Sequence, residues 1–425
     1  MTRSTSAQGT LSLLRLGLPA LPLAFVALPL YMYWPHHVAT QFGISLALLG
    51  GLLFLARLFD AVIDPALGLW VDRLLAHGAQ RLLKRCLLAG SLLAASLVFL
   101  FFPQWILGRA LTLDHLLLLL AVLLVVCYSA YSFLNIALQS WGARLGGDTL
   151  ARSRLVAWRE GLGLLGVVLA SLIPSWLGLH VLVSAMVLFM ALALWAWWEA
   201  PRPMAQQAAL PHWRVMLQPW GHASFKRLLL VFVFNGIASA IPATLILFFA
   251  QDRLQLPPEM QMQFLGAYFV AAALSFPLWL RLIASMGLRR SWLLGMGLAV
   301  IVFVWTLGLG AGDAWPFTLI CLFSGLALGA DLILPSAMLN GLLLQHEQGH
   351  SGAFYGWWQV ATKLNLALAA GLALPLLGWL GYAPGSQDAP ALLALSWTYG
   401  LLPCALKIIA MVLLWRQSEP MKESP

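Results

Sequence analysis

Charge is what this chain has least of. Only 9% of its 425 residues are Asp, Glu, Lys or Arg, 61% are apolar, and the mean hydropathy is +0.87. Soluble domains carry about one quarter charged residues, so this chain cannot cover itself with a water-facing surface. Cysteine is scarce too: Cys86, Cys127, Cys321 and Cys404 lie far apart, inside or beside apolar runs. That placement offers neither a disulfide framework nor a metal site, and the four read as small core residues. Short alternating polar and apolar segments are missing, which argues against a membrane barrel. No His/Asp/Glu metal cluster or nucleophile triad supports an enzyme; His36, His37, His346 and His350 read as loop residues.

What is present is a series of apolar blocks of about twenty residues, rich in Leu, Ala and Gly, each long enough to cross a hydrocarbon core as a helix. The pattern predicts twelve helices, at 12–34, 44–71, 86–106, 113–140, 156–177, 178–199, 227–250, 262–284, 291–311, 315–340, 354–381 and 390–415. Residues Met1 to Thr10 are polar and lead into the first run with no cleavage-site pattern, so that run is expected to be retained as a helix. The longest polar stretch, 201–226, contains Pro201, Pro203, Pro211 and Pro219 and divides six helices from six. The expected organisation is an all-α membrane protein with a bundle at 1–200, a central cytoplasmic loop at 201–226 and a second bundle at 227–425.

The net charge of +9 reports topology, not nucleic acid. Of the 24 basic residues, eighteen, from Arg3 and Arg15 to Arg416 and Lys422, fall on one set of loops and ends, whereas the alternate loops carry only Arg109 and Arg253. Positive charge collects on the cytoplasmic side, which predicts cytoplasmic termini in a bacterial-type inner membrane. Basic loops after the second helix of each half (Arg81, Lys84, Arg85; Arg289, Arg290) are what a duplicated six-helix unit would leave.

Ionisable side chains at membrane depth are costly and mark candidate sites. In the second helix Asp60 and Asp64 are four apart and share one face, with Arg57 a turn earlier. Two carboxylates and a guanidinium facing a cavity can hold a cation or a proton; the other reading is a structural pair of Arg57 with Asp60. Lys363 lies midway along the eleventh helix, beside Trp357 and Trp358, and needs a counter-charge unless it snorkels to an interface. Asp331, among small residues of the tenth helix, is a possible second-half polar site or a structural partner, and Lys407 in the last helix reads as structural. Tyr128, Tyr131, Ser132, Asn135 and Gln139 form a polar stripe on the fourth helix, suited to solute hydrogen bonding or to helix–helix contact.

These residues resemble a family. Arg57-x-x-Asp60-Ala61-x-x-Asp64-Pro65-x-x-Gly68-x-x-x-Asp72 is similar to the second-helix signature of the glycoside–pentoside–hexuronide cation symporters, the melibiose-permease group of the major facilitator superfamily. The likeness continues through Asn135-Ile136-Ala137-Leu138, Asp148, Arg152 to Glu160, Gly329 to Pro335 and Ala361-Thr362-Lys363. The resemblance implies that Asp60, Asp64 and Ser132 serve a coupling cation, with Arg57, Tyr131, Asn135, Arg159, Trp357, Trp358 and Lys363 toward a substrate cavity. Leu23 stands where melibiose permeases carry a sugar-binding acid, Asn135 where they carry another, and Ile63 where they carry a cation-binding asparagine. These departures point away from a galactoside and from sodium. The expectation is a monomeric proton- or sodium-coupled symporter of a sugar-like or other small polar solute, without a cofactor and without nucleic acid. Proton-coupled efflux of a metabolite or drug is the alternative on the same fold, and a membrane sensor or enzyme the alternative of another class.

Overall fold

The computed structural model describes residues 9–42, 44, 46–107, 112–203, 212–345 and 350–416. Arg3, Arg109, His346, Lys422, most of the polar N-terminus and residues 204–211 of the central loop lie outside that set. Helices α1 (Thr10–Gly17) and α2 (Ala20–Leu28) continue through a π-helical turn, Pro29–Tyr33, into α3 (Trp34–Phe42). There follow α4 (Leu46–Ala76), α5 (Ala79–Phe101), the short α6 (Gln104–Leu107), α7 (Leu113–Arg144) and α8 (Thr149–Trp198). A 3-10 segment, Trp213–Gly221, leads to α9 (Ala223–Phe248), α10 (Pro258–Phe303), α11 (Ala314–Gln345) and α12 (Ser351–Trp379). The last crossing is α13 (Ala389–Ser396), a π-helical turn Trp397–Leu401, and α14 (Leu402–Trp415).

Twelve crossings emerge once one break inside α10 and one polar helix are added to the spans that length and composition pick out, which already divide α8 in two. Among the described residues, ten helices are long and apolar enough to span a bilayer, and one of these, Gln263–Gly308, is twice the length needed. It turns at Gly287 (φ 80°, ψ 170°), just as α8 turns at Gly178 (φ 81°, ψ 175°). Only glycine takes such φ values without a Cβ clash, so each position separates two crossings inside what hydrogen bonding alone would merge. The crossing absent from the ten is α4, which carries Arg57, Asp60, Asp64, Asp72 and Arg73 in 31 residues. Its charges disqualify it by composition and make it the informative helix.

Two compact units form: 1–221 with 343–360, and 222–342 with 361–425. In the first unit, α2 lies along α8, α5 along α7 and α4 along α7. Gly166 meets the backbone of Leu21 and Gly90 meets Leu194 so closely that a Cβ would collide, which is how helices gain dispersion contact where lipid gives no hydrophobic drive. In the second unit α9 runs along α14. Its core stacks Phe249 on Tyr399, ring centroids 4.1 Å apart, with Phe317 tilted against Phe249 and Phe264 edge-on to Phe317.

Candidate functional site

The acidic face of α4 turns inward. Asp60 and Asp64 are both buried, at 5% and 0% exposure. The Ser132 hydroxyl of α7 donates to Asp60 Oδ1 at 2.7 Å, a short bond to a carboxylate. Arg57 lies over the ring of Tyr128, its guanidinium carbon 5.5 Å from the centroid. Pro65 has no N–H to give the Ala61 carbonyl, so a backbone acceptor loses its helical donor in the same turn as both acids. Residues chosen from the α4 signature and the α7 stripe thus converge inside the first unit.

The other expected site residues are placed as follows. Arg159 holds Glu160 through two bonds, Nη2 at 2.6 Å and Nε at 3.0 Å. Asn135 turns its amide back to the Tyr131 carbonyl at 3.1 Å. The Trp357 indole donates to the Met216 carbonyl at 2.8 Å and meets Trp220 edge-on, which ties it to the 3-10 segment; Trp358 is buried. Lys363 is half-buried and belongs to the second unit.

Two ionic clusters join residues far apart in sequence, and their pairing is not written in any local motif. In the first unit Asp72 at the end of α4 is 1% exposed and fully engaged. Its Oδ1 accepts from Arg144 Nη2 at 2.7 Å and from the Gly352 N–H at 2.8 Å; its Oδ2 accepts from the Ala353 N–H at 2.8 Å. Arg144 Nε also donates to Ser351 Oγ at 2.9 Å. A carboxylate on the first free N–H groups of α12 satisfies groups every helix start leaves open, and it meets the positive end of the helix dipole. Gly68 makes the approach possible, since a methyl there would overlap the Gly352 carbonyl. His350, in the loop before α12, is held below the ordinary histidine pKa by burial and by Arg144. Arg144 belongs to α7 and lies just beyond the polar stripe of that helix, which is the sequence signal for its role.

In the second unit Asp331 of α11 pairs with Lys407 of α14 at 2.8 Å, with side chains 9% and 8% exposed. Lys407 also donates to Asn235 Oδ1 at 2.9 Å and Ser239 Oγ at 3.1 Å, both on α9. Asp331 accepts from the Trp292 indole at 3.0 Å. Asp331 and Lys407 are thus partners in one ionic cluster. Among the described residues no group of three His, Cys, Asp or Glu side chains has the spacing of a metal centre.

With two buried acids on α4, one of them bonded to a serine of α7, and two helical units built from one chain, the architecture fits a secondary transporter. The family model for MFS/sugar transport proteins matches residues 16–418, and the chain belongs to that family, the melibiose-permease-like branch of the major facilitator superfamily. A symporter of Bacillus subtilis (strain 168), YjmB, is 23% identical over 402 residues, 88% of this chain and 84% of that one. A sodium-dependent lysophosphatidylcholine symporter of Danio rerio is 25% identical over 171 residues, 39% of this chain and 32% of its own. Among solved structures, a bacterial homologue of the iron transporter ferroportin in an outward-facing state superposes with a TM-score of 0.72 at 16% identity, over 96% of this chain and 98% of that one. The Escherichia coli fucose:proton symporter does so at 0.68 and 15%, with 96% and 97% covered. At these identities the structures establish the twelve-helix fold alone. The family and these neighbours are transporters, not enzymes.

Proposed function

We propose that this protein is a cation-coupled symporter that brings a sugar-like or other small polar solute across a bacterial-type inner membrane, both termini cytoplasmic. The observation that carries the reading is the buried triad of Asp60, Asp64 and Ser132, with its 2.7 Å hydroxyl–carboxylate bond. Asp60 and Asp64 serve the coupling ion and Ser132 holds Asp60 in place. Arg57, Tyr131, Asn135, Arg159, Trp357, Trp358 and Lys363 are the substrate-cavity candidates. The ion assigned is the proton. Sodium must replace a hydration shell with several hard oxygens, and Ile63 contributes none where the resembled site has an amide. A proton needs only a carboxylate poised near the working pH.

Everted and right-side-out vesicles test this directly. Solutes that raise the melting temperature of the purified protein are first identified, and their uptake is then followed under an imposed pH gradient or an imposed sodium gradient, each alone. Uptake driven by the pH gradient and lost in Asp64→Asn, with the variant still folded and inserted, is expected. Uptake driven by sodium and indifferent to pH overturns the proton assignment, and accumulation by Asp64→Asn makes that residue structural. Reporter fusions after Arg202 and Pro425 should both read cytoplasm.

A further inference from the structure

The second unit contains a partly open cavity of about 120 Å³ that the α4 site does not use. It lies among α9, α10, α11 and the α14 crossing. Its walls are apolar and aromatic, with Tyr268, Phe269, Phe303, Phe317 and Tyr399 among them, and Asp331 and Lys407 line it as well. An ion pair beside such walls is expensive to desolvate, and packing alone does not require it, since apolar residues of similar volume are often as stable. A cavity with apolar walls and a few convergent polar groups is the usual form of a small-molecule site.

We propose that this cavity binds a small hydrophobic carboxylate, whose anionic head takes the place of Asp331 on Lys407 while Asp331 takes up one proton from solvent. Lys407 can make the exchange because only one of its three donated bonds goes to Asp331. Asn235 Oδ1 and Ser239 Oγ stay as acceptors and hold the ammonium where it is. Asp331 keeps the Trp292 indole as a donor on its Oδ1. Without its cation in a low-dielectric setting, the Asp331 carboxylate is neutralised by a proton, as uncompensated buried charges are. The charges balance: an anion and a proton enter together, and the cavity, neutral before, is neutral after.

An amine head would instead set a second cation against the Lys407 ammonium, with Asp331 the single counter-charge to both. Among the described residues, the other titratable groups lining the cavity are Tyr268 of α10, Cys321 of α11, and Tyr399 and Cys404 of the last crossing; α9 contributes the neutral Asn235 and Ser239 to Lys407. Phenols and thiols are uncharged at about pH 7, so the counted proton belongs to Asp331. With about 10–15 Å³ for each water-sized occupant, the space suits a ligand of roughly ten non-hydrogen atoms.

Phenylacetate has that size and charge, and titration calorimetry of the purified wild-type protein in nanodiscs is the test. Runs at pH 7 in two buffers of different ionisation enthalpy count the protons bound. Benzyl alcohol (body without charge), acetate (charge without body) and 2-phenylethylamine (opposite charge) are the controls. Phenylacetate should bind with about one proton taken up, and the three controls at least ten-fold more weakly. The double variant Asp331→Leu/Lys407→Met, which removes both charges and leaves none unpaired, should lose phenylacetate binding at least ten-fold while remaining folded by its melting curve. Asp331→Asn should bind phenylacetate with no proton uptake. Absence of phenylacetate binding to the wild type, equal binding of benzyl alcohol, stronger binding of the amine, or unchanged binding by the double variant each overturns the proposal. Loss of coupled transport in Asp64→Asn with phenylacetate binding intact keeps this site separate from the α4 reading.

Discussion

Among the described residues, each of the two units holds a carboxylate–cation pair with both side chains under 10% exposed, and the partners of the two acids differ in kind. Asp72 is bonded to Arg144 and to two backbone N–H groups at the start of α12. Asp331 is bonded only to side chains, Lys407, Trp292 and Ser239, with a cavity alongside. A backbone donor cannot be mutated away or turned aside, so the first acid has fixed obligations. Side-chain donors can be exchanged, so the second has movable ones. The difference teaches that burial and charge alone do not assign a role to an intramembrane acid; the identity of its donors does.

The largest effects come from breaking either pair in half. Arg144→Met and Lys407→Met each leave a buried carboxylate without its cation, and each should lower unfolding free energy by about 3–5 kcal/mol. Titration with denaturing detergent, monitored by tryptophan fluorescence, reads this out. The doubles sharpen the contrast. Asp331→Leu/Lys407→Met should return to within about 1 kcal/mol of wild type, because apolar replacement of a whole pair is close to neutral. Asp72→Leu/Arg144→Met should stay about 2–6 kcal/mol below it, since the Gly352 and Ala353 N–H groups are left without an acceptor at about 1–3 kcal/mol each. Equal recovery in both doubles would remove the distinction between backbone and side-chain donors.

Gly68→Ala probes the same joint without touching charge. The added methyl meets the Gly352 carbonyl and carbon, and backbone cannot rotate out of the way as a side chain can. Overpacking of this kind costs about 1–3 kcal/mol, and the melting temperature should fall accordingly. Gly51→Ala, in the same helix with open space around its Cβ position, is the control and should be neutral or slightly stabilising.

Much of this was legible in the sequence because hydrocarbon solvent imposes a strict length and polarity on each crossing. The break between the eighth and ninth helices was visible from Gly287-Leu288-Arg289-Arg290, where charge interrupts an apolar run that hydrogen bonding continues. The site was legible where spacing on one helix decides a face, as with Asp60 and Asp64, and where the α7 stripe offered Ser132. What could not be read was pairing between helices distant in sequence. Asp331 and Lys407 were both conspicuous, yet nothing local says that α11 and α14 bring them to 2.8 Å. Asp72 lay within the noted signature, but its partners are backbone amides 280 and 281 residues away, and a backbone amide has no sequence signature.

The smallest effect tests how far the second network depends on its hydroxyl. Ser239 accepts from Lys407 at 3.1 Å and gives Asp331 only a long bond of 3.4 Å, whereas Ser132 reaches Asp60 at 2.7 Å. A donor–acceptor distance of 3.4 Å is past the range where hydroxyl bonds are strong. Ser239→Ala therefore removes one acceptor from an ammonium that keeps Asn235 and Asp331, and one weak donor from a carboxylate that keeps Lys407 and Trp292. The expected loss is about 0.5–1 kcal/mol, below the roughly 1.5 kcal/mol or more expected of Ser132→Ala, whose bond to a carboxylate is short. Detergent unfolding of the two variants side by side measures both. If Ser239→Ala costs as much as Ser132→Ala, the ammonium leans on the hydroxyl as heavily as on the acid. The second pair would then be as rigid as the first, and the contrast between movable and fixed partners would fail at its weakest bond.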